Sequence, residues 1–288
     1  MSDVAGDPYI SIVELSKAFQ NKSVLPSEVV DAQLKRIEVI DKKLGSYQTV
    51  YRDAAMASAK EADLALANEQ RLGPFHGIPF ALKDIFELEG HVTTCGSQEM
   101  LQRISRTTGT IVRRLVDAGG ILIGKTKTVE CALGGWGTNE HMGTPWNPWD
   151  LKEARVPGGS SSGSGVAVAS GIASCATGSD TGGSVRLPAA YCGLTGLKVS
   201  KACLPTDGIM PLSQTLDTPG PMTRNMADLA FMFSIMQGLN ANKLENDMLN
   251  GHGLFDIHMN IFKGLRLGII SEEERFRCTE DILKSYDT

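Results

Sequence analysis

The chain has 288 residues, of which 42% are hydrophobic and 21% are charged, a balance typical of a folded globular protein. Its formal net charge of −5 gives no reason to expect a nucleic-acid partner, because binding to phosphates requires clustered lysine and arginine. No apolar run reaches membrane-spanning length, and the N-terminus lacks the charged and apolar regions of a signal peptide. We therefore expect a cytoplasmic protein.

Cysteine and histidine are the residues that would indicate a zinc site or a disulfide framework. The six cysteines are scattered without a C-x-x-C pair, and the five histidines show no metal-ligand spacing. We therefore expect reduced thiols and no metal site.

The first part of the chain is predicted to be helical. SIVELSKAF and PSEVVDAQLKRIEVID carry apolar residues at helical spacing, and the alanine-rich RDAAMASAKEADLALAN follows them. We interpret residues 1–70 as an amphipathic helical layer and residues 71–288 as the core of the same single domain.

An α/β arrangement is expected next. GPFHGIPFALKDIF has glycine and proline punctuation followed by a short apolar run, which predicts a buried strand ending at Lys83 and Asp84. GTIVRRLVDAGG is typical of a helix closed by glycines, and ILIG is typical of the strand after it. This alternation of helix and strand favours an α/β layer fold.

Residues 134–196 are rich in glycine and serine, and on composition alone GGSSSGSG would be a flexible linker. The stretch runs directly into the dense apolar segment VAVASGIASCATG, which is not the context of a linker. We therefore expect packed loops in this region.

Two short motifs match known patterns but lie in the wrong context. GGILIGKT, residues 119–126, matches a phosphate-binding loop, yet the residues between its glycines form a strand sequence and a helix precedes them. GSSSG, residues 159–163, matches a nucleophile elbow centred on Ser161, but a charged loop precedes it and the only later histidines are His252 and His258. We expect neither nucleotide binding nor a serine–histidine hydrolase.

Three separated residues together provide the parts of an activated serine. Ser184 in GSDTGGSVR follows two glycines, but its hydroxyl needs a base and no histidine lies near it in sequence. Lys83, packed among apolar neighbours, would lose solvation of its charged form, so its pKa would fall and the neutral amine could accept a proton. Ser160 could relay that proton, and amides around Gly182 and Gly183 could form an oxyanion hole.

The run from Gly158 to Ala189 resembles the signature of the amidase signature family, with GPFHGIPFALKDIF before it and YCGLTGLK after it also resembling family segments. NPWD and LDTPGPMTRN fit as well, so the resemblance covers residues 10–270. It implies an α/β/α sandwich around a large twisted mixed β-sheet. FKGLRLGII resembles the strand that opens the family's C-terminal portion, and since the chain stops soon after it, we expect that portion to be absent.

The resemblance also implies a Ser-cisSer-Lys triad and an acyl-enzyme. Ser184 would attack the amide carbonyl, Ser160 would bridge on a cis peptide bond after Gly159, and Lys83 would be the base. The backbone amides implied to hold the oxyanion are those of Thr181, Gly182, Gly183 and Ser184.

Other positions are expected to support this site. Asp180 and Arg186 would organise the loop of the nucleophile, and Gly134 and Gly135 lie in a segment that lines the substrate pocket in the family. Trp136 in the same segment is interpreted either as a pocket wall or as core. Three further serines are expected to be hydrogen-bonding scaffold rather than nucleophiles: Ser161, Ser162 and Ser164.

The implied activity is hydrolysis of carbon–nitrogen bonds in small amides, without a metal or organic cofactor. One alternative is the glutamine-hydrolysing amidase component of a tRNA-dependent amidotransferase. The segment GGWGTNEHMG, in place of that component's serine- and asparagine-rich loop, favours the stand-alone amidases. The other alternative is a truncated relative that binds without catalysis. We expect a small-molecule amide as the partner, no nucleic acid and no membrane, and we keep a homodimer as the assembly to be tested.

Overall fold

The structure is a computed structural model that describes residues 4–239, 264–266 and 268–287. The chain divides into two compact units, Met1–Gly251 and His252–Thr288, which are described separately. Within the described residues, no helix combines the length and the apolar character that crossing a membrane would require.

The N-terminal layer is helical, as the sequence predicts. Ser11 caps its first helix through a capping box with Glu14, and Pro26 opens the second at a position where no amide donor is needed. The elements are α1 (Ile12–Gln20), α2 (Pro26–Arg36), a π-helical turn (Ile37–Asp41), α3 (Lys42–Leu44) and α4 (Arg52–Ala67).

A mixed six-stranded sheet forms the centre of the first unit, with the order β1-β3-β2-β4-β6-β5. The central strands β3, β2 and β4 are parallel, whereas β1 and β6 pair antiparallel with β3 and β4. The strands are β1 (Tyr47–Val50), β2 (Pro79–Lys83), β3 (Ile121–Thr126), β4 (Cys175–Asp180), β5 (Thr195–Gly196) and β6 (Thr218–Thr223).

Three of the remaining helices connect strands of this unit: α5 (Thr110–Asp117), α6 (Ser162–Ala169) and α7 (Arg186–Cys192). The fourth, α8 (Met226–Gln237), follows β6. Short 3-10 turns occupy Gln98–Met100 and Glu130–Ala132.

Helices cover both faces of the sheet because successive residues of a buried strand point to opposite sides. Ala81 of β2 belongs to a buried cluster with residues of α2, α4 and α6. The ring of the preceding Phe80 instead lies 6.4 Å from that of Phe75, which contacts Phe231 of α8 edge-on at 6.0 Å. This layering agrees with the expected α/β/α sandwich.

The segment GGSSSGSG, residues 158–165, is packed as expected, but its second half is helical rather than a loop, whereas residues 151–156 of the same glycine- and serine-rich region are exposed. Residues 157–168 are all buried, and α6 begins at Ser162. Gly163 shows why small residues are needed, since a Cβ there would lie 2.2 Å from the carbonyl oxygen of Ser46. Close packing therefore outweighs the low helix propensity of glycine and serine.

The phosphate-loop match is structurally ruled out in the way the sequence predicts. GGILIGKT begins just after α5 and continues along β3. A phosphate loop instead requires an open turn between its glycines and a helix after its lysine.

The second unit contains a 3-10 turn, Glu272–Arg275, and a short helix α9, Glu280–Tyr286. The expected strand FKGLRLGII includes residues 262, 263 and 267, which lie outside the described residues, as do His252 and His258. The described residues of that segment, 264–266 and 268–270, carry no strand assignment.

Candidate active site

The topology brings the three predicted catalytic residues to one edge of the sheet. Because β2, β3 and β4 are parallel, their carboxyl ends lie at the same edge. Lys83 is the last residue of β2, and Asp180 at the end of β4 leads directly into the turn that carries Ser184. Ser160 lies just before α6, which packs against these strands.

Lys83 is fully buried and its amine donates two hydrogen bonds. Its Nζ lies 2.8 Å from Oγ of Ser160 and 2.8 Å from Oγ of Ser179. Burial lowers the pKa of Lys83 to about 7, although the negative charges of Asp180 and Asp217 oppose this change. A lowered pKa favours the neutral amine, which is the form that a base requires.

Ser160 is held by the segment that follows β3. The peptide bond between Gly159 and Ser160 is cis, as the family resemblance implies. The Ser160 carbonyl accepts hydrogen bonds from the Val129 amide at 3.1 Å and from the Thr128 hydroxyl at 2.9 Å. These contacts hold the backbone of Ser160, whose hydroxyl accepts a hydrogen bond from Lys83.

Ser184 lies in a tight turn that Asp180 organises. The buried carboxylate of Asp180 accepts hydrogen bonds from the amides of Gly183 at 2.7 Å and Val185 at 3.1 Å. It also accepts two hydrogen bonds from the guanidinium of Arg186, at 3.0 and 2.9 Å. Burial alone would raise the pKa of Asp180, but these hydrogen bonds outweigh it and lower the pKa. Asp180 thus connects the Arg186 side chain to the backbone of the turn that carries Ser184.

A direct backbone contact connects the segment of Ser184 to the segment of Ser160. The carbonyl of Ser184 accepts a hydrogen bond from the amide of Ser161 at 3.2 Å. Since Ser161 follows Ser160 directly, this contact holds both proposed catalytic serines in one local framework.

The neighbouring serines differ in what they bind. Ser161 Oγ contacts the backbone of Ser179, and Ser164 Oγ donates to the Thr177 carbonyl at 2.9 Å. Both hydroxyls are therefore hydrogen-bonded to the backbone of β4. The buried hydroxyl of Ser162, in contrast, has no hydrogen-bond partner in the described structure.

The four amides predicted to bind an oxyanion are not equivalent. The Gly183 amide is already paired with Asp180. In the part of the chain that the structure describes, the amides of Thr181, Gly182 and Ser184 have no hydrogen-bond acceptor. Position 183 instead requires glycine, because its φ is +136° and a Cβ there would lie 3.0 Å from Cδ1 of Leu187.

The loop with Gly134 and Gly135 lies against the segment of Ser160. The Gly135 carbonyl accepts a hydrogen bond from the Gly159 amide at 2.8 Å, and the Trp136 carbonyl accepts one from Gly158 at 3.2 Å. Trp136 itself is 63% exposed, so the interpretation of this residue as core is wrong.

Sequence reasoning missed two residues of this site. Ser179 is the second hydroxyl at Lys83, and Asp217 accepts a hydrogen bond of 2.5 Å from the Thr181 hydroxyl. A signal for Ser179 was present: Thr177 and Ser179 are polar residues at alternate positions of a buried strand, hence on one side of it. Both hydroxyls contact Lys83, since Thr177 Oγ1 accepts from its backbone amide at 3.2 Å.

The family model described as Amidase matches residues 28–288. This chain belongs to the amidase signature family. The match includes all three predicted catalytic positions, although it does not itself assign their roles.

Relatives of this amidase signature chain have different named activities. It is 40% identical over 237 residues to 2-amino-5-chloromuconic acid deaminase of Comamonas testosteroni, covering 81% of this chain and 51% of the relative. It is 38% identical over 266 residues to a glutamyl-tRNA(Gln) amidotransferase subunit of Prochlorococcus marinus strain MIT 9211, covering 91% of this chain and 54% of that relative. The chain thus spans about half the length of these curated relatives.

Solved structures of the family share the fold. The structure of PAM12A aligns with a TM-score of 0.81 at 30% identity, covering 96% of this chain and 58% of that one. The native peptide amidase of Stenotrophomonas maltophilia aligns with a TM-score of 0.74 at 33% identity, covering 82% and 50% of the two chains. These alignments confirm an amidase signature fold of which this chain represents about half.

Proposed function

We propose that this chain carries the catalytic half of an amidohydrolase that cleaves carbon–nitrogen bonds in small amides. The observation that carries the proposal is the buried Lys83 amine, which lies 2.8 Å from the Ser160 hydroxyl and has a pKa lowered to about 7. Family membership and the amidase structures among the relatives support the same chemistry.

The proposed reaction proceeds through an acyl-enzyme. Ser184 Oγ attacks the amide carbonyl carbon while its proton passes through the hydroxyl of Ser160 to neutral Lys83. The carbonyl oxygen becomes an oxyanion that free amides of the Thr181–Ser184 turn stabilise. The carbon–nitrogen bond then breaks, and the proton held by Lys83 returns through Ser160 to the departing amine. Water hydrolyses the ester by the same route, which gives a carboxylate and regenerates Ser184.

We favour a stand-alone hydrolase over the glutamine-hydrolysing component of an amidotransferase. The supporting observation is the segment GGWGTNEHMG, in which Gly135 and Trp136 contact the segment of Ser160 and no serine is present. The named relatives include both kinds of protein.

We also propose that the helical layer of residues 1–70 belongs to the same domain as the core that begins at residue 71. Self-association as a homodimer stays a prediction, which sedimentation would test.

The test is labelling with a fluorophosphonate, which reacts with activated serines, followed by intact-mass measurement. We expect one adduct on the wild-type chain and none on Ser184→Ala. Absence of an adduct on a chain that melts cooperatively would overturn the catalytic proposal and favour the non-catalytic alternative. Ammonia release from several primary amides then supports a stand-alone hydrolase, whereas release from glutamine alone supports the amidotransferase component.

A further inference from the structure

A small cavity lies beside two residues of the proposed catalytic site. Its volume is about 300 Å³, and Ser179 and Thr181 form one side of it. Ser179 also touches the Lys83 amine, and Thr181 precedes the glycines of the nucleophile turn. A molecule in this cavity would therefore have one end beside the proposed catalytic groups. The volume suits a ligand of few heavy atoms.

A second part of the cavity wall comes from the segment between β5 and β6, and the middle of this segment is apolar. The residues that form it are Lys201, Thr206, Ile209, Met210, Pro211, Leu212 and Gln214. This wall offers contacts to a short hydrocarbon spacer rather than to a polar one.

The cavity lining includes two charged side chains, and both already have hydrogen-bond partners. Asp217 accepts hydrogen bonds from the Thr181 hydroxyl, from the Leu212 amide at 2.8 Å and from the Ser213 amide at 3.0 and 2.9 Å. Those contacts occupy both of its oxygens. Lys201 donates to the backbone carbonyl of Gln214, and no carboxylate of the described residues pairs with it. An ammonium group has three donors, so Lys201 retains capacity for an anion.

We propose that the substrate is a short monoamide of a dicarboxylic acid, with its amide at Ser184 and its carboxylate at Lys201. This inference rests on the proposed amide hydrolysis at the same site. The apolar residues Ile209 and Met210 contact the spacer between the two ends, and the ammonium of Lys201 selects the charged end. The overall reaction is the same amide hydrolysis: water cleaves the amide bond and releases ammonia and the dicarboxylate.

The test compares succinamate with butyramide, which have the same length but end in a carboxylate and a methyl group. For the wild-type chain we expect a larger kcat/KM with succinamate. Lys201→Met should reduce the succinamate-to-butyramide ratio of kcat/KM about fivefold, the effect of one solvent-accessible ion pair. Lys198→Met is the matched control, because Lys198 lies in the same segment but outside the cavity lining, and it should retain the wild-type ratio.

Binding without turnover separates this inference from the proposed function. Calorimetric titration of succinamate into Ser184→Ala should show binding that weakens about fivefold when Lys201→Met is added. If butyramide is hydrolysed but the ratio does not respond to Lys201→Met, the carboxylate inference is wrong and amide hydrolysis stands. If neither amide is hydrolysed, hydrolysis fails, and the titration alone decides the carboxylate site: no binding of succinamate, or binding that Lys201→Met leaves unaltered, overturns it.

Discussion

Lys125 and Asp84 form an ion pair inside the protein, with Nζ 3.1 Å from Oδ1 and each side chain only 1% exposed. Asp84 directly follows Lys83, and Lys125 neighbours Thr126, the strand partner of Lys83. The pair therefore lies next to Lys83, the proposed base, but has its own partners, among them the Thr94 amide, which donates to Asp84 at 3.1 Å.

We expect Lys125→Met to destabilise the fold strongly, because it leaves the Asp84 carboxylate buried without its counter-charge. The expected loss in the free energy of unfolding is about 3 kcal/mol, measured by urea denaturation. Lys35→Met is the control, since the Lys35–Asp31 pair is exposed and should change stability by less than about 1 kcal/mol. Equal losses for the two variants would show that the buried pair is not a stabilising contact.

The pH dependence of fluorophosphonate labelling should follow the protonation of Lys83. Burial lowers its pKa to about 7, so the neutral, basic form increases as the pH rises through that value. We expect the labelling rate of Ser184 to increase with pH below about 7 and to level off above it. Lys83→Met should abolish this dependence together with nearly all labelling.

A labelling rate that is independent of pH between about 5 and 9 would contradict the role of Lys83 as the base. A rate that continues to rise toward the ordinary pKa of lysine would show that the amine is not desolvated in solution.

The adjacent glycines of the nucleophile turn should respond differently to alanine. Gly183→Ala places a Cβ 3.0 Å from Leu187 on a residue with a φ of +136°, and we expect a loss of about 1–3 kcal/mol of stability. A Cβ at Gly182 meets no atom within 4 Å, so Gly182→Ala should keep nearly the wild-type melting temperature. Thermal melts of both variants test this contrast, and a lower melting temperature for Gly182→Ala would contradict it.

Labelling of Gly182→Ala then tests the oxyanion site separately from stability. Its amide has no acceptor among the described residues, and the residue is exposed. If this face of the turn receives substrate, the added methyl group should slow the reaction of Ser184 with the fluorophosphonate although the protein remains folded.

Sequence patterns could predict the positions of Lys83 and Ser184 because both depend on local signals. A short apolar run places Lys83 at the end of a buried strand, and a glycine-rich turn after a second strand places Ser184. Parallel pairing then brings the ends of these strands together. The role of Ser160 needed the family resemblance, since nothing in GGSSSGSG distinguishes one serine from the next.

One missed feature depends on a contact between distant parts of the chain. The Thr181–Asp217 hydrogen bond connects residues separated by 36 positions, and no local pattern indicates it. Helix α6 was missed for another reason: its glycines and serines have low helix propensity, and the helix forms because Gly163 and its neighbours allow close packing. Burial in the folded chain thus stabilises a helix where propensity alone predicts a loop.

Ser179 is expected to tune the catalytic lysine rather than to react. Its hydroxyl accepts a hydrogen bond of 2.8 Å from Lys83 Nζ, which favours the protonated amine and fixes its direction relative to Ser160. Ser179→Ala should therefore shift the midpoint of the labelling–pH profile to lower pH and reduce the maximal rate, whereas Ser179→Thr, which keeps a hydroxyl, should restore both. Thr177→Val is the matched control, because Thr177 contacts the backbone amide of Lys83 and not its Nζ, so the midpoint should not move. An unchanged midpoint in Ser179→Ala would mean that this hydroxyl is only packing beside the lysine and that Ser160 alone sets the proton affinity of the base.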